Sequence, residues 1–258
     1  MIKVVSFTLE GDYAAFRDPS VTSNQTVYII PSKSAVIGLL GGMLGLKRPN
    51  TLGPYGRGII YNDEYLSLLR ATKIGMRVNG GTKKFSFFTN HRSLKEGKTK
   101  PFKTELLLSP SYTIYVKTDE ETSLKLVERL KTNDFVFTPT LGHCYCFGRV
   151  SDPNELDLQP IAPEKVVTST VILDEMNETN NRAQSVTFSY AKNGLRVVVE
   201  RHLHHYFDGD RFERTVLRHW IPLPDRGSST VLALESYVPT INLTEFYRLD
   251  SEQAICLY

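Results

Sequence analysis

Residues 34–45, SAVIGLLGGMLG, read as a helix with an unusual composition: the good helix formers Ala35, Leu39, Leu40, Met43 and Leu44 alternate with Gly38, Gly41, Gly42 and Gly45. A glycine inside a helix costs about 1 kcal/mol relative to alanine. The run therefore predicts a helix held by packing, with close backbone approach as the reason for four structural glycines. Ser32 or Ser34 can cap it, leaving its first N–H groups available to an anion.

Upstream, Ile2 to Leu9 place Val5, Phe7 and Leu9 on one face at period two, which predicts a strand. A polar stretch with Pro19 and Pro31 joins it to the helix. Downstream, a loop rich in Pro, Gly and Tyr precedes predicted strands at Ala71–Val78 and Tyr112–Lys117. Thr118 with Glu121 matches a capping box, and Leu124, Val127 and Leu130 then recur at helical spacing until Asn133 and Asp134. Phe135–Val150 returns to strand character, broken at Pro139–Gly142. The order is that of an α+β, ferredoxin-like (RRM-like) βαββαβ domain over residues 1–150.

Pro153, Pro160 and Pro163 punctuate residues 151–163, which read as a polar linker. Beyond it, Lys165–Leu173, Leu195–Phe207, Thr215–Pro222 and Thr230–Val238 read as strands without a long helix. Residues 151–258 are thus expected to form a smaller, mostly antiparallel β part. At 258 residues and 41% hydrophobic content, the chain is long enough for one large core or two modest ones.

The longest uncharged apolar stretch, Ala35–Leu46, is short of the roughly 20 residues a membrane helix needs, and Met1–Asp12 has neither signal-peptide nor transit-peptide character. A soluble cytoplasmic protein is expected. Cys144, Cys146 and Cys256 are too few and too uneven for a disulfide framework; buried reduced thiols are the expectation for the Cys144–Tyr145–Cys146 pair.

The net charge of +3 is unevenly spread. Lys83, Lys84, Arg92, Lys95, Lys98, Lys100 and Lys103 face one acid, Glu96, in the window from 83 to 103, so the rest of the chain is net acidic. Phe85, Phe87, Phe88, His91 and Phe102 are interleaved with these cations. Such a composition suits phosphate neutralisation combined with stacking on unpaired bases. A solvated loop has the same composition.

Other chemistries find less support. No Gly-x-x-x-x-Gly-Lys-Ser/Thr occurs around Lys47, which removes a phosphate loop of that type. His202 and His204 fall on one face of a predicted strand beside His205, but no acidic or cysteine partner stands at metal-ligand spacing, so neither a metal nor another cofactor is expected. His143 beside Cys144 and Cys146 falls short of a structural zinc set. Hydrolase and metalloprotease motifs are missing.

Two linked blocks carry a family resemblance. They are Phe7-x-Leu9-x-Gly11-x-x-Ala14-x-Phe16-Arg17-x-Pro19 and Thr26-x-Tyr28-x-x-Pro31-Ser32-x-x-Ala35-x-x-Gly38-Leu39-Leu40-Gly41-Gly42-x-Leu44-Gly45. In register, they resemble the opening of the CRISPR-associated protein family numbered five, of the repeat-associated mysterious protein (RAMP) superfamily. Pro139-x-Leu141-Gly142-His143-Cys144 is similar to that family's turn in the last ferredoxin strand. Relatives often carry two prolines where this chain has Pro31-Ser32, and no firm motif is matched beyond about Val150.

The resemblance implies a non-catalytic subunit of a type I Cascade complex, closest to subtype I-B. Such subunits bind the 5′ handle of CRISPR RNA, contact a backbone subunit and help dock the large subunit, meeting target DNA through the complex. It also implies a thumb hairpin at about residues 79–105. The RNA-contacting residues implied are Arg17, Ser32, Lys33, Ser34, Arg77, Lys83, Lys84, His91, Arg92, Lys95, Lys98, Lys100, Lys103 and His143. Two alternatives stay open. One is a metal-independent endoribonuclease, since the I-C branch cleaves repeat RNA with Tyr, Lys and His; the other is a generic single-strand RNA binder, for which paired aromatic RNP motifs are missing.

Overall fold

The computed structural model describes the chain except residues 19, 22–23, 48–49, 52–58, 61–62, 81, 93–96, 164–165, 175–185, 190–195, 209–212, 225–231, 238–243 and 252. It is an α+β structure dominated by strands. The first half contains β1 (Ile2–Gly11), β2 (Tyr13–Ala14), α1 (Lys33–Leu44), β3 (Asn50–Thr51), β4 (Ile59–Ile60), α2 (Asp63–Ala71), β5 (Lys73–Gly80), β6 (Lys84–Arg92), β7 (Thr99–Leu108), β8 (Ser111–Lys117) and α3 (Glu120–Thr132). The second half contains β9 (Gly148–Ile161), β10 (Val166–Thr168), β11 (Ile172–Asp174), β12 (Val186–Ser189), β13 (Val197–Asp208), β14 (Glu213–Pro222), β15 (Leu232–Tyr237), β16 (Glu245–Arg248) and β17 (Ala254–Leu257).

The main sheet has the order β12-β15-β10-β17-β16-β9-β1-β8-β5 and curls on itself. Within it β9, β1, β8 and β5 are antiparallel neighbours. The free edge of β5 bonds back to the chain's last residues: Ile74 and Tyr258 exchange both backbone hydrogen bonds at 2.8 Å, and Val171 N–H donates to Met76 C=O at 2.7 Å. Gly75 permits this closure, because a Cβ there would lie 2.6 Å from the Cys256 carbonyl oxygen and 2.8 Å from Leu257 Cδ2.

Side-chain alternation divides β1 between two cores. Val5, Phe7 and Leu9 join Val36, Ile37, Leu40 and Met43 of α1 and Leu126, Val127 and Leu130 of α3. Val4, on the other face, packs with Tyr115, Leu158, Tyr247, Ile255 and Leu257 inside the curl. Lys73 and Lys117 stand on this second face and share the Glu245 carboxylate at 2.9 and 2.6 Å. Burial alone would raise Glu245, but hydrogen bonds from Lys117, Tyr247 and Lys73 outweigh it and bring the carboxyl down to about 2.

Helix α1 is capped by Ser32, whose Oγ accepts the Ala35 N–H at 3.2 Å, and ends at Gly45 in the left-handed region with φ of 79°. The close approach expected for its glycines is found at Gly45, where a Cβ would meet Val136 Cγ2 at 2.8 Å. Gly41 and Gly42 have ordinary contact distances of 3.6 and 3.9 Å, and a Cβ at Gly38 would meet nothing within 4 Å. Packing within the described residues thus requires glycine at one of the four positions.

Other boundaries moved for identifiable reasons. The stretch read as a loop contains α2, where Tyr65, Leu68 and Leu69 stand at helical spacing and the two leucines are buried. Asp119, not Thr118, caps α3: its carboxylate accepts the Thr122 N–H at 2.9 Å, a stronger acceptor at a helix N-terminus than a hydroxyl. Glu121 instead pairs with Lys125 one turn on. Leu124 points outward, and Leu126, Val127 and Leu130 form the buried stripe.

The segment read as a linker is part of β9, a continuous strand paired with β1 and then with β16. Pro153 is accommodated where the ladder skips from Ser151 to Asn154 opposite Thr8 and Ser6, a bulge in which its missing N–H is not needed. Residues 135–147, read as strand, form a loop with one isolated pair, Thr140 with Phe147. In the C-terminal half the described residues contain no helix; β11, β14 and β13 form a separate three-stranded sheet. All three cysteines are free, but Cys144 is exposed, against the expectation of burial, while Cys146 and Cys256 are buried. No helix among the described residues is long and apolar enough to cross a membrane.

Gly75→Ala is expected to lower unfolding stability by about 1–3 kcal/mol through overpacking. Gly38→Ala is expected to raise it by up to about 1 kcal/mol through helix propensity. Urea denaturation of both variants checks the pair, and a neutral Gly75→Ala would mean that the closure yields without strain.

Candidate nucleic-acid interface

Strands β6 and β7 form a long hairpin paired from Lys84–Leu107 to Arg92–Thr99, joined to β2 in a small sheet of its own. Gln25 is stitched to β7 by two backbone bonds, to Lys103 and Glu105. The hairpin occupies the expected stretch between β5 and β8.

Successive strand residues point to opposite sides, so the hairpin has two faces of different composition. One face carries Phe85, Phe87, Thr89 and His91 with Lys100, Phe102 and Thr104 opposite them. Here Phe85 stacks on Phe87 at 5.8 Å, and His91 lies 5.0 Å from Phe102 while its Nε2 meets Thr89 Oγ1 at 3.0 Å. The other face carries Lys84, Phe88 and Arg92, with Lys103 opposite Phe88 and Glu105 opposite Ser86. Phe88 is 73% exposed on this cationic face, a planar surface flanked by positive charge.

Lys83, Lys84, Arg92 and Lys98 are exposed and form no ion pair among the described residues. Lys100 is exposed, and Lys103 reaches Glu105 at 3.4 Å. Lys95 lies outside the described residues. Four cations of this segment thus have no ion pair among the described residues.

Arg17 and His143 sit near the hairpin's root. Arg17 is exposed, bridges its backbone to Val27, and has no ion pair among the described residues. Ala15 N–H donates to Leu141 C=O at 2.8 Å, fixing the loop that holds His143. Gly142, with φ of 85°, lies so close to Ala15 that a Cβ would meet its carbonyl oxygen at 2.4 Å. The His143 ring stacks on Tyr145 at 3.9 Å. Arg77 stands on β5 just before the hairpin; its Nε donates to Asn79 Oδ1 and its Nη2 to Thr113 Oγ1, both at 3.1 Å. Asn79 and Thr113 were not singled out in the sequence, where nothing marks them as neighbours.

At the start of α1, Ser32 Oγ and Ser34 Oγ lie 3.0 Å apart and Ser32 is already engaged as the cap. Lys33 departs from the reading as a surface contact: it is buried, and burial, then the charge of Lys73, lowers its ammonium to about 8. A groove of about 350 Å³ runs between Ala35, Gly38 and Gly42 of α1 and residues 137–142. No group of three or more His, Cys, Asp or Glu converges for a metal among the described residues. His202, His204 and His205 fall on β13, but their side chains lie outside those described.

A family model described as CRISPR-associated protein (Cas_Cas5) matches residues 4–222, well past the motifs that end near Val150. The chain is similar over 99% of both lengths to the crystal structure of a CRISPR protein from Archaeoglobus fulgidus, at 12% identity and a TM-score of 0.57. It also aligns, at 15% identity and a TM-score of 0.45, with a chain of a CRISPR RNA-guided surveillance complex, covering 92% of this chain and 94% of that one. A chain of the type III-B Cmr-beta complex, bound to cognate target RNA and AMPPnP, aligns at 12% identity and a TM-score of 0.42, covering 90% and 86%. No curated protein matches the sequence.

Lys33 makes a testable prediction. Between about pH 8 and its ordinary value of 10.5 the unfolded chain binds the proton more strongly, so stability rises with pH across that window. The difference corresponds to about 3 kcal/mol. Lys33→Met is expected to remove the rise and to increase stability at pH 7, as read by urea denaturation over a pH series; an unchanged profile would place the ammonium in water.

Proposed function

The chain belongs to the CRISPR-associated protein (Cas_Cas5) family, and from that membership we propose that it is a non-catalytic Cascade subunit that holds the 5′ handle of CRISPR RNA. In this reading it works in the cytoplasm, contacts an adjacent backbone subunit, and helps dock the large subunit for interference with target DNA. The two N-terminal sequence blocks favour a subtype I-B complex. The antiparallel order β9-β1-β8-β5, with α1 and α3 in the crossovers, supports a ferredoxin-like arrangement as the platform.

The observation that carries the reading is the cationic hairpin face with Phe88 exposed on it. Phosphates would lie along Lys84, Arg92 and Lys103, with Lys98 and Lys100 at the tip end, and Phe88 would offer a base-stacking surface. Arg17 and His143 at the root extend the same surface toward the body.

The alternative, a metal-independent endoribonuclease, has one observation in its favour: His91 is exposed on the hairpin and hydrogen-bonded to Thr89, an orientation suited to proton transfer. Incubation of the purified protein with repeat RNA in EDTA separates the two. Intact RNA is expected; defined cleavage 5′ of the handle would overturn the non-catalytic reading.

With about five phosphates contacted, binding is expected to fall with salt at a log–log slope near −3.5, from about −0.7 per single-strand phosphate. Lys98→Glu with Lys100→Glu is expected to weaken RNA retention and complex assembly and to flatten the slope. Unchanged binding in a competition against handle-scrambled RNA of equal length would reject handle recognition.

A further inference from the structure

The second face of the main sheet changes character along its length. Where β16 and β17 cover it, Val4, Tyr115 and Leu158 meet Tyr247, Ile255 and Leu257 in a dry cluster. Toward the hairpin the same face becomes polar: the register sets Arg77 opposite Thr113, Thr113 opposite Thr8, and Thr8 opposite Ser151. Directly paired residues share a face, so one guanidinium and three hydroxyls form a row across four strands.

Two cationic sites stand on this face and are treated differently. Lys73 and Lys117 are answered by the Glu245 carboxylate. Arg77 is partly buried and is held by neutral groups: Asn79 Oδ1 accepts from Nε, Thr113 Oγ1 accepts from Nη2, and Thr113 and Asn79 are themselves hydrogen-bonded at 3.0 Å. Among the described residues no carboxylate lies within ion-pair distance of it. The clamp fixes the guanidinium plane without neutralising its charge. Its Nη1 group and one Nη2 hydrogen remain for a ligand, and a planar fork of this kind matches two oxygens of a phosphate.

We propose that Arg77 is a phosphate receptor for the RNA backbone where the strand passes from the hairpin onto the sheet, with Asn79 and Thr113 as its positioning residues. The hydroxyl of Thr8 extends the row toward the sugar, and the row ends at Ser151, whose Oγ donates to the Asp152 carboxylate at 3.0 Å. The proposal rests on the RNA-binding reading above, and it adds a built oxyanion site on the sheet to a hairpin surface defined by exposed lysine side chains.

Fluorescence anisotropy of a labelled single-stranded repeat RNA, titrated with the full chain over a salt series, tests it. Arg77→Gln is expected to weaken binding about tenfold and to reduce the slope by about 0.7, the share of one phosphate. Arg77→Lys retains the charge without the fork and is expected to restore the slope but only part of the affinity. Asn79→Ala and Thr113→Val are expected to lower affinity with the slope retained, since they misalign the charge without removing it. If Arg77→Gln fails to fold on thermal melting, the two clamp variants carry the test, and unchanged affinity in both overturns the proposal. Wild-type affinity and slope in folded Arg77→Gln, with weakened binding in Lys98→Glu/Lys100→Glu, overturns the receptor and leaves the RNA reading standing. RNA binding unaffected by any of these variants overturns both.

Discussion

The backbone exchange between Ile74 and Tyr258 brings β5, one edge of the curled sheet, back onto the end of β17. It is possible because Gly75 has no side chain to meet the Cys256 carbonyl. Through this contact the last strand of the chain lids one face of the first, and the dry cluster around Val4, Tyr115 and Leu257 comes into being. The same closure seats Glu245 beside Lys73 and Lys117, so that two lysines in the body of the sheet share one internal carboxylate. Where the lid ends, the face is polar and Arg77 has only neutral partners. The division between an apolar and a polar half of one sheet face therefore follows from how far the closure reaches.

The hairpin obeys a simpler constraint. Pleating sends alternate residues to opposite sides, so a window that mixes lysine and phenylalanine in sequence becomes two surfaces of different character. Phe85, Phe87, Phe102 and His91 associate with one another on one side, while Lys84, Arg92 and Lys103 surround Phe88 on the other. Lys103 meets Glu105 on that side, whereas Lys84 and Arg92 form no ion pair among the described residues.

Much of the first half was legible because its signals are local. The period-two pattern of Val5, Phe7 and Leu9, the cap of α1 offered by Ser32 or Ser34, and the stop at Asn133 each depend on residues close in the chain. The misses share the opposite property. Pro153 and Pro160 suggested a linker, yet pairing with β1 and β16, made by distant residues, holds both in a strand. Lys33 looked like a surface donor beside two serines, and only packing revealed its burial. The short α2 carried a readable spacing at Tyr65, Leu68 and Leu69, obscured by the Gly- and Pro-rich residues before it.

Composition and local pattern by themselves determined that this chain mixes strands and helices, concentrates its positive charge between Lys83 and Lys103, and carries the linked blocks that point to its family. Tertiary structure alone decided which side of the hairpin each cation faces, which of the helix glycines packing requires, and which lysines meet a carboxylate of the chain itself. The reason is physical. Propensity and periodicity act over one or two turns of chain, whereas neutralisation and steric demand depend on what distant strands bring within a few ångströms, as Glu245 does for Lys73 and as Cys256 does for Gly75.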